Sequence, residues 1–116
     1  MDDELLDRDL AETYAGWFRA LADPSRVQIL HLLASTGRPM AVGEIVNRVH
    51  IGQSTVSHHL ATLAETRFVL VERVGTARLY RVNDACIRCF PSAADVVMGR
   101  TPATPEETSD ARRTAR

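Results

Sequence analysis

Residues 42–66 read Val-Gly-Glu-Ile-Val-Asn-Arg-Val-His-Ile-Gly-Gln-Ser-Thr-Val-Ser-His-His-Leu-Ala-Thr-Leu-Ala-Glu-Thr. Val42, Ile45, Val46 and Val49 recur at helical spacing, as do Val56, Leu60, Leu63 and Ala64. Between the two runs, Ile51-Gly52-Gln53 has room only for a tight turn. Two short helices joined by a turn containing glycine predict a helix-turn-helix, with its second helix over about Ser54–Thr66. Ser54, His58, Thr62 and Glu65 fall on the face of that helix opposite its apolar residues.

Upstream, Leu10, Tyr14, Trp17, Phe18 and Leu21 form one broad apolar face, which predicts a first helix over about Asp7–Leu21. Asp23-Pro24 ends it and starts another, with Asp23 as cap and Pro24 in the first helical position. In that second helix Val27, Leu30, Leu33 and Ala34 are expected to face inward, and Thr36-Gly37-Arg38-Pro39 is a turn by composition. Downstream, Phe68–Val74 alternates as a strand does, Gly75-Thr76 signals a hairpin, and Ala77–Val82 returns as the second strand. A last helix falls between Asn83 and Met98, where Pro91 either kinks it or begins it. The expected fold is mainly α with a small β-hairpin wing, a dimeric winged helix-turn-helix. Residues 1–9 are expected to be an acidic N-terminal segment, 10–98 the DNA-binding and dimerisation domain, and 99–116 a disordered tail poor in apolar residues.

With 116 residues there is room for one core, and 45% hydrophobic against 25% charged residues is ordinary for a globular chain. No apolar run approaches the roughly 20 residues of a membrane span. The opening MDDELLDRDL lacks the basic start of a secretory signal. A cytoplasmic protein without membrane contact is expected. A net charge of −1 argues against coating nucleic acid through bulk positive charge. The charges are unevenly spread, however. Asp2, Asp3, Glu4, Asp7, Asp9 and Glu12 crowd the start, whereas Arg67, Arg73, Arg78 and Arg81 surround the hairpin with only Glu72 against them. Contact with double-stranded DNA should therefore be local.

Gln53, Ser54, Thr55, Ser57 and His58 supply what a major-groove reader needs at the start of its helix: short polar side chains beside free backbone N–H groups. Gln pairs with adenine, and Ser or Thr bonds base edges or phosphates. Arg73, Arg78 and Arg81 flank the hairpin tip, within reach of phosphate or the minor groove. An ordinary capped helix with a polar solvent face, and arginines that keep a strand edge soluble, would look the same one at a time. The ordered set of helix, turn, helix and hairpin favours DNA reading.

Three stretches together resemble the ArsR/SmtB family of repressors: Phe18-Arg19-Ala20-Leu21-Ala22-Asp23-Pro24-Ser25-Arg26-Val27-Gln28-Ile29-Leu30, Gln53–Leu63, and the wing Val74–Val82. The resemblance spans about Ala11 to Val97. It implies a homodimer formed through the first and last helices, binding to an inverted-repeat operator, and repression relieved by an effector.

The effector is where the sequence departs from the family. Met40-Ala41-Val42-Gly43-Glu44-Ile45 lacks the cysteines of the arsenic-type site, and Asp84-Ala85-Cys86, Val97 and Arg100 do not complete the zinc-type site. What remains is Cys86-Ile87-Arg88-Cys89, with Asp84 as a third donor. A C-x-x-C offers two soft thiolates, which suit As(III), Cd, Pb, Hg or Zn. Against an ion stand two other readings: a redox or reactive-sulfur switch, for which a regular helix holds the pair awkwardly, and two buried cysteines that only pack. The expected function is a repressor that leaves its operator when a thiophilic ion binds Cys86 and Cys89. The alternatives are a thiol switch, or a repressor with no small effector. No enzyme is expected: no histidine neighbours the cysteines in sequence, and there is no glycine-rich phosphate loop.

Overall fold

The computed structural model describes residues 5–100, apart from the side chains of residues 86–89. Its elements are α1 (Arg8–Ala20), α2 (Pro24–Thr36), β1 (Met40–Ala41), α3 (Val42–Val49), α4 (Gln53–Glu65), β2 (Val69–Val74), β3 (Ala77–Val82) and α5 (Asp84–Val97). This is the winged helix-turn-helix: α3 and α4 make the helix pair, β2 and β3 the wing. The acidic residues 1–4 and the tail residues 101–116 lie outside the described residues.

Caps explain why the helices begin where they do. The Asp7 carboxylate accepts from the Leu10 N–H at 3.2 Å and opens α1. Asp23 does the same for α2, taking the Ser25 N–H at 2.8 Å and the Arg26 N–H at 3.3 Å. At the other end of α2, Gly37 adopts φ 69° and returns its N–H to the Leu33 carbonyl at 3.1 Å. Glu44 accepts the Ala41 N–H at 3.1 Å to open α3, and His50 ends that helix with φ 59°.

The sheet runs β1-β3-β2, antiparallel throughout. Register pairs Met40 with Tyr80 on one side of β3, and Val69 with Val82 through Val74 with Ala77 on the other. Ile29, Leu33, Met40, Ile45, Val56, Leu60, Leu63, Phe68, Val69 and Tyr80 fill the interior. The chain divides into two units at Asn83–Asp84, and α5 is the helix of the second.

Two expectations are corrected, one strand is added and one open choice is settled. In α2, Ile29 and Leu33 are buried, whereas Val27 is 47% exposed and Ala34 is exposed. Apolar residues lie all round this helix, so its periodicity does not select a face. β1 was not expected, because two residues carry no alternation; it exists through its pairing with β3. Phe68 was expected to open the first wing strand but precedes it. Its N–H bonds to the Leu63 carbonyl at 2.9 Å behind Arg67, which holds φ 68°. In α5, Pro91 stands inside the helix and not at its start.

Leu60 has no exposed surface, so Leu60→Ala is expected to lower unfolding stability in urea by about 2–5 kcal/mol. At the exposed neighbour, Ala61→Ser should change it by less than about 0.5 kcal/mol. At the two left-handed helix ends the signs oppose. Gly37→Ala should cost about 1–2 kcal/mol, and His50→Gly should add up to about 1 kcal/mol.

Candidate nucleic-acid interface

Helix α4 turns two faces to different surroundings. Val56, His59, Leu60 and Leu63 are buried, while Gln53, Ser54, Thr55, Ser57 and His58 are all exposed. Its N-cap is Gly52, and no side chain caps it. The first-turn N–H groups therefore remain open to an anion, beside the short polar side chains.

The wing completes one side of this surface. Side chains alternate along a strand, so Arg73 and Arg78, which are register partners, share the sheet face that carries buried Val69 and Tyr80. Ser57, Ala61 and Glu65 of α4, with Val71, Arg78 and Tyr80 of the wing, line one cleft of about 590 Å³. The sequence-predicted residues Ser57 and Arg78 thus meet across a single groove. Arg81 is placed otherwise. It lies on the opposite sheet face, where its Nε donates to the Glu72 carboxylate at 2.9 Å. Arg73 and Arg78 have no carboxylate partner among the described residues.

Behind the exposed face lies a polar cluster that the sequence did not single out. Arg26 donates from Nε to the Ala20 carbonyl and from Nη2 to the Arg19 carbonyl at 3.4 Å. Its Nη1 stands 3.2 Å from Nδ1 of buried His59, whose Nε2 is 3.9 Å from Asp23 Oδ1. The end of α1, the start of α2 and the middle of α4 meet there. Partial desolvation works to raise the Asp23 pKa, but the N–H groups of Arg26 and Ser25, with the nearby His59 and Arg26 side chains, hold it below the ordinary value. The signal was a histidine at the spacing of Val56, Leu60 and Leu63, a polar residue on an apolar stripe.

The wing, the exposed α4 face and the fold behind them invite comparison with known proteins. The family described as "Bacterial regulatory protein, arsR family" matches residues 23–70. Nodulation protein NolR of Rhizobium meliloti is 32% identical over 98 residues, which span 84% of this chain and 79% of that protein. The chain belongs to the bacterial ArsR family. That is a family of transcriptional regulators and not of enzymes, as the sequence led us to expect. The "Probable mercury resistance operon repressor" of Streptomyces lividans is 38% identical over 87 residues, 75% of this chain and 63% of that protein. The chain thus spans less than two thirds of that relative's length. Among solved structures, the homodimeric winged helix-turn-helix DNA-binding domain of Mycobacterium bovis matches at a TM-score of 0.65 and 31% identity, over 84% of this chain and 91% of that one.

In this ArsR-family chain, α5 runs through Cys86 and Cys89, so both lie in the last helix and not in a turn before it. Their side chains lie outside the described residues. Asp84, the third donor considered, is exposed in the first turn of α5. Among the described residues no three His, Cys, Asp or Glu side chains gather as a metal site. No described helix is long and apolar enough to cross a membrane.

Asp23 supplies a pH prediction. Its folded pKa lies below its ordinary 3.8, so its ionised form stabilises the fold fully above that value, and the contribution is lost as pH falls through the folded pKa. Urea unfolding from about pH 6 down to 3 should show wild type losing stability more steeply in the acid range than Asp23→Asn. Parallel profiles would mean that the carboxylate has no such role.

Proposed function

We propose that this chain is a homodimeric, DNA-binding transcriptional repressor. It reads an inverted-repeat operator with Gln53, Ser54, Thr55, Ser57 and His58, and holds the flanking phosphates with Arg73 and Arg78. The observation that carries this reading is the shared surface: Ser57 of the uncapped, polar α4 face and Arg78 of the wing line one groove, and Arg73 is the register partner of Arg78 on the same sheet face. Arg81 has a smaller part, since Glu72 already holds it. Leu6, Leu10 and Phe18 on or beside α1 are 40%, 37% and 36% exposed, an apolar surface that suits a second copy. The homodimeric M. bovis domain, similar in fold, supports the same assembly.

The effector we assign is a thiophilic ion held by Cys86 and Cys89; helix positions two and five residues apart do not share a face, so Asp84 is left out of the set. Residues three apart on a helix have Cβ atoms about 5–6 Å apart, close enough for two thiolates to share one ion. Two soft sulfurs favour Hg, As(III), Cd or Pb over hard cations, with Zn also served. The likeness to a protein named for mercury resistance supports this choice. Ion binding weakens operator affinity only as far as the ion prefers the form that does not bind DNA.

Fluorescence anisotropy tests both halves. Binding to a duplex carrying the inverted repeat upstream of the gene should weaken linearly in log salt, and Arg73→Ala or Arg78→Ala should each reduce that slope by about 1. Arg81→Ala should change it less. With reduced protein, Hg, As(III), Cd, Pb and Zn are titrated separately. Release by a soft ion is expected in wild type and absent in the Cys86→Ser, Cys89→Ser double variant. Release by oxidant or persulfide but by no ion would assign the pair to a thiol switch, and tight binding that nothing disturbs would remove the effector.

A further inference from the structure

We propose that Arg26 and His59 are positioning residues for operator reading: their contact sets the rotation of α4, and hence base discrimination, beyond any role in holding the fold together. The proposal rests on the DNA-reading role given to α4 above. A guanidinium has donors only, so its Nη1 at 3.2 Å from His59 Nδ1 makes that nitrogen the acceptor. The ring proton then sits on Nε2, the nitrogen facing Asp23 Oδ1 at 3.9 Å. Arg26 itself is not free to turn, because Nε and Nη2 are held by the Ala20 and Arg19 carbonyls. His59 is therefore gripped from one side by a fixed fork.

Val56, Leu60 and Leu63 share one fully buried stripe and seat α4 against the core. His59, at the edge of that stripe, is the position where a directional bond rather than packing alone fixes the helix. A roll of about 20° moves a side-chain tip about 5–6 Å from the axis by about 2 Å. Hydrogen bonds to base edges tolerate only about 0.5 Å. His58, the neighbour of His59, and Ser57, one residue further, are exposed on the other side of the helix, so a roll at His59 displaces both directly.

Variants at His59 separate position from stability. In His59→Asn the amide oxygen can stand where Nδ1 stood; in His59→Gln the amide stands nearer the place of Nε2; His59→Leu has neither. Leu fills the site with apolar volume, and water can take up the freed Nη1 N–H of half-buried Arg26 while Nε and Nη2 keep their carbonyls, so His59→Leu should be at least as stable as His59→Asn. The probes are a duplex selected by wild type from a random library and a scrambled duplex of equal composition, compared by anisotropy at one salt concentration. His59→Leu and His59→Gln should lose about tenfold in the selected-to-scrambled ratio, the size of one base contact. His59→Asn should keep most of the ratio despite its lower stability.

Nitrogen-15 NMR of wild type should show Nδ1 unprotonated and Nε2 protonated. A ratio that follows stability across the three variants, or a proton on Nδ1, overturns the proposal. Should His59→Leu not fold, Arg26→Lys, which keeps the charge but not the fork, should lose the same tenfold, and a wild-type ratio there overturns it equally. A wild type that cannot tell the two duplexes apart would sink the DNA-reading role itself. Selectivity shared equally by all variants leaves that role standing and removes only this one.

Discussion

The contact on which the rest of the molecule turns is the fork of Arg26. One planar cation closes the end of α1 through the Ala20 and Arg19 carbonyls and reaches His59 in the body of α4. Asp23, three residues earlier, starts α2 and stands beside the same histidine. A helix end leaves carbonyls without partners, and burying them unpaired would be costly. Arginine answers that need with several donors in fixed directions. The short polar run Asp23-Pro24-Ser25-Arg26 thereby does two things at once: it breaks the chain between helices and ties both of them to the helix that carries the exposed polar face.

Much of this fold is legible because its signals are local. The helical period of Val42–Val49, the glycine at 52, and the hairpin Gly75-Thr76 each specify their own element within a few residues. The wing strand Ala77–Val82 and the helix α1 follow directly from such signals. What was not legible depends on partners distant in sequence. β1 is a strand only because Met40 lies beside Tyr80. The buried side of α2 is chosen by what packs on it, since the helix itself is apolar nearly all round.

The same division applies to the site. Exposure of Gln53, Ser54, Thr55, Ser57 and His58 follows from the helical wheel and is observed. The split among the wing arginines is not readable from composition, because all three flank the same turn. It comes from strand alternation combined with the register, which gives Arg81 to Glu72 and leaves Arg73 and Arg78 facing each other. His59 could have been noticed as a polar residue on an apolar stripe. Its partners, 33 and more residues away along the chain, could not.

The register pairing of Arg73 with Arg78 has a consequence for the protein free in solution. Like charges directly opposite on a sheet repel, and among the described residues neither of these is ion-paired with a carboxylate. The hairpin mouth is thus electrostatically frustrated, and mobile anions are what relieve it. Added salt should firm the wing of the unbound protein while weakening its hold on any polyanion, so the two salt dependences run in opposite directions. Whatever anion approaches the tip meets two fixed cations on one face, a pairing set by the strand register alone.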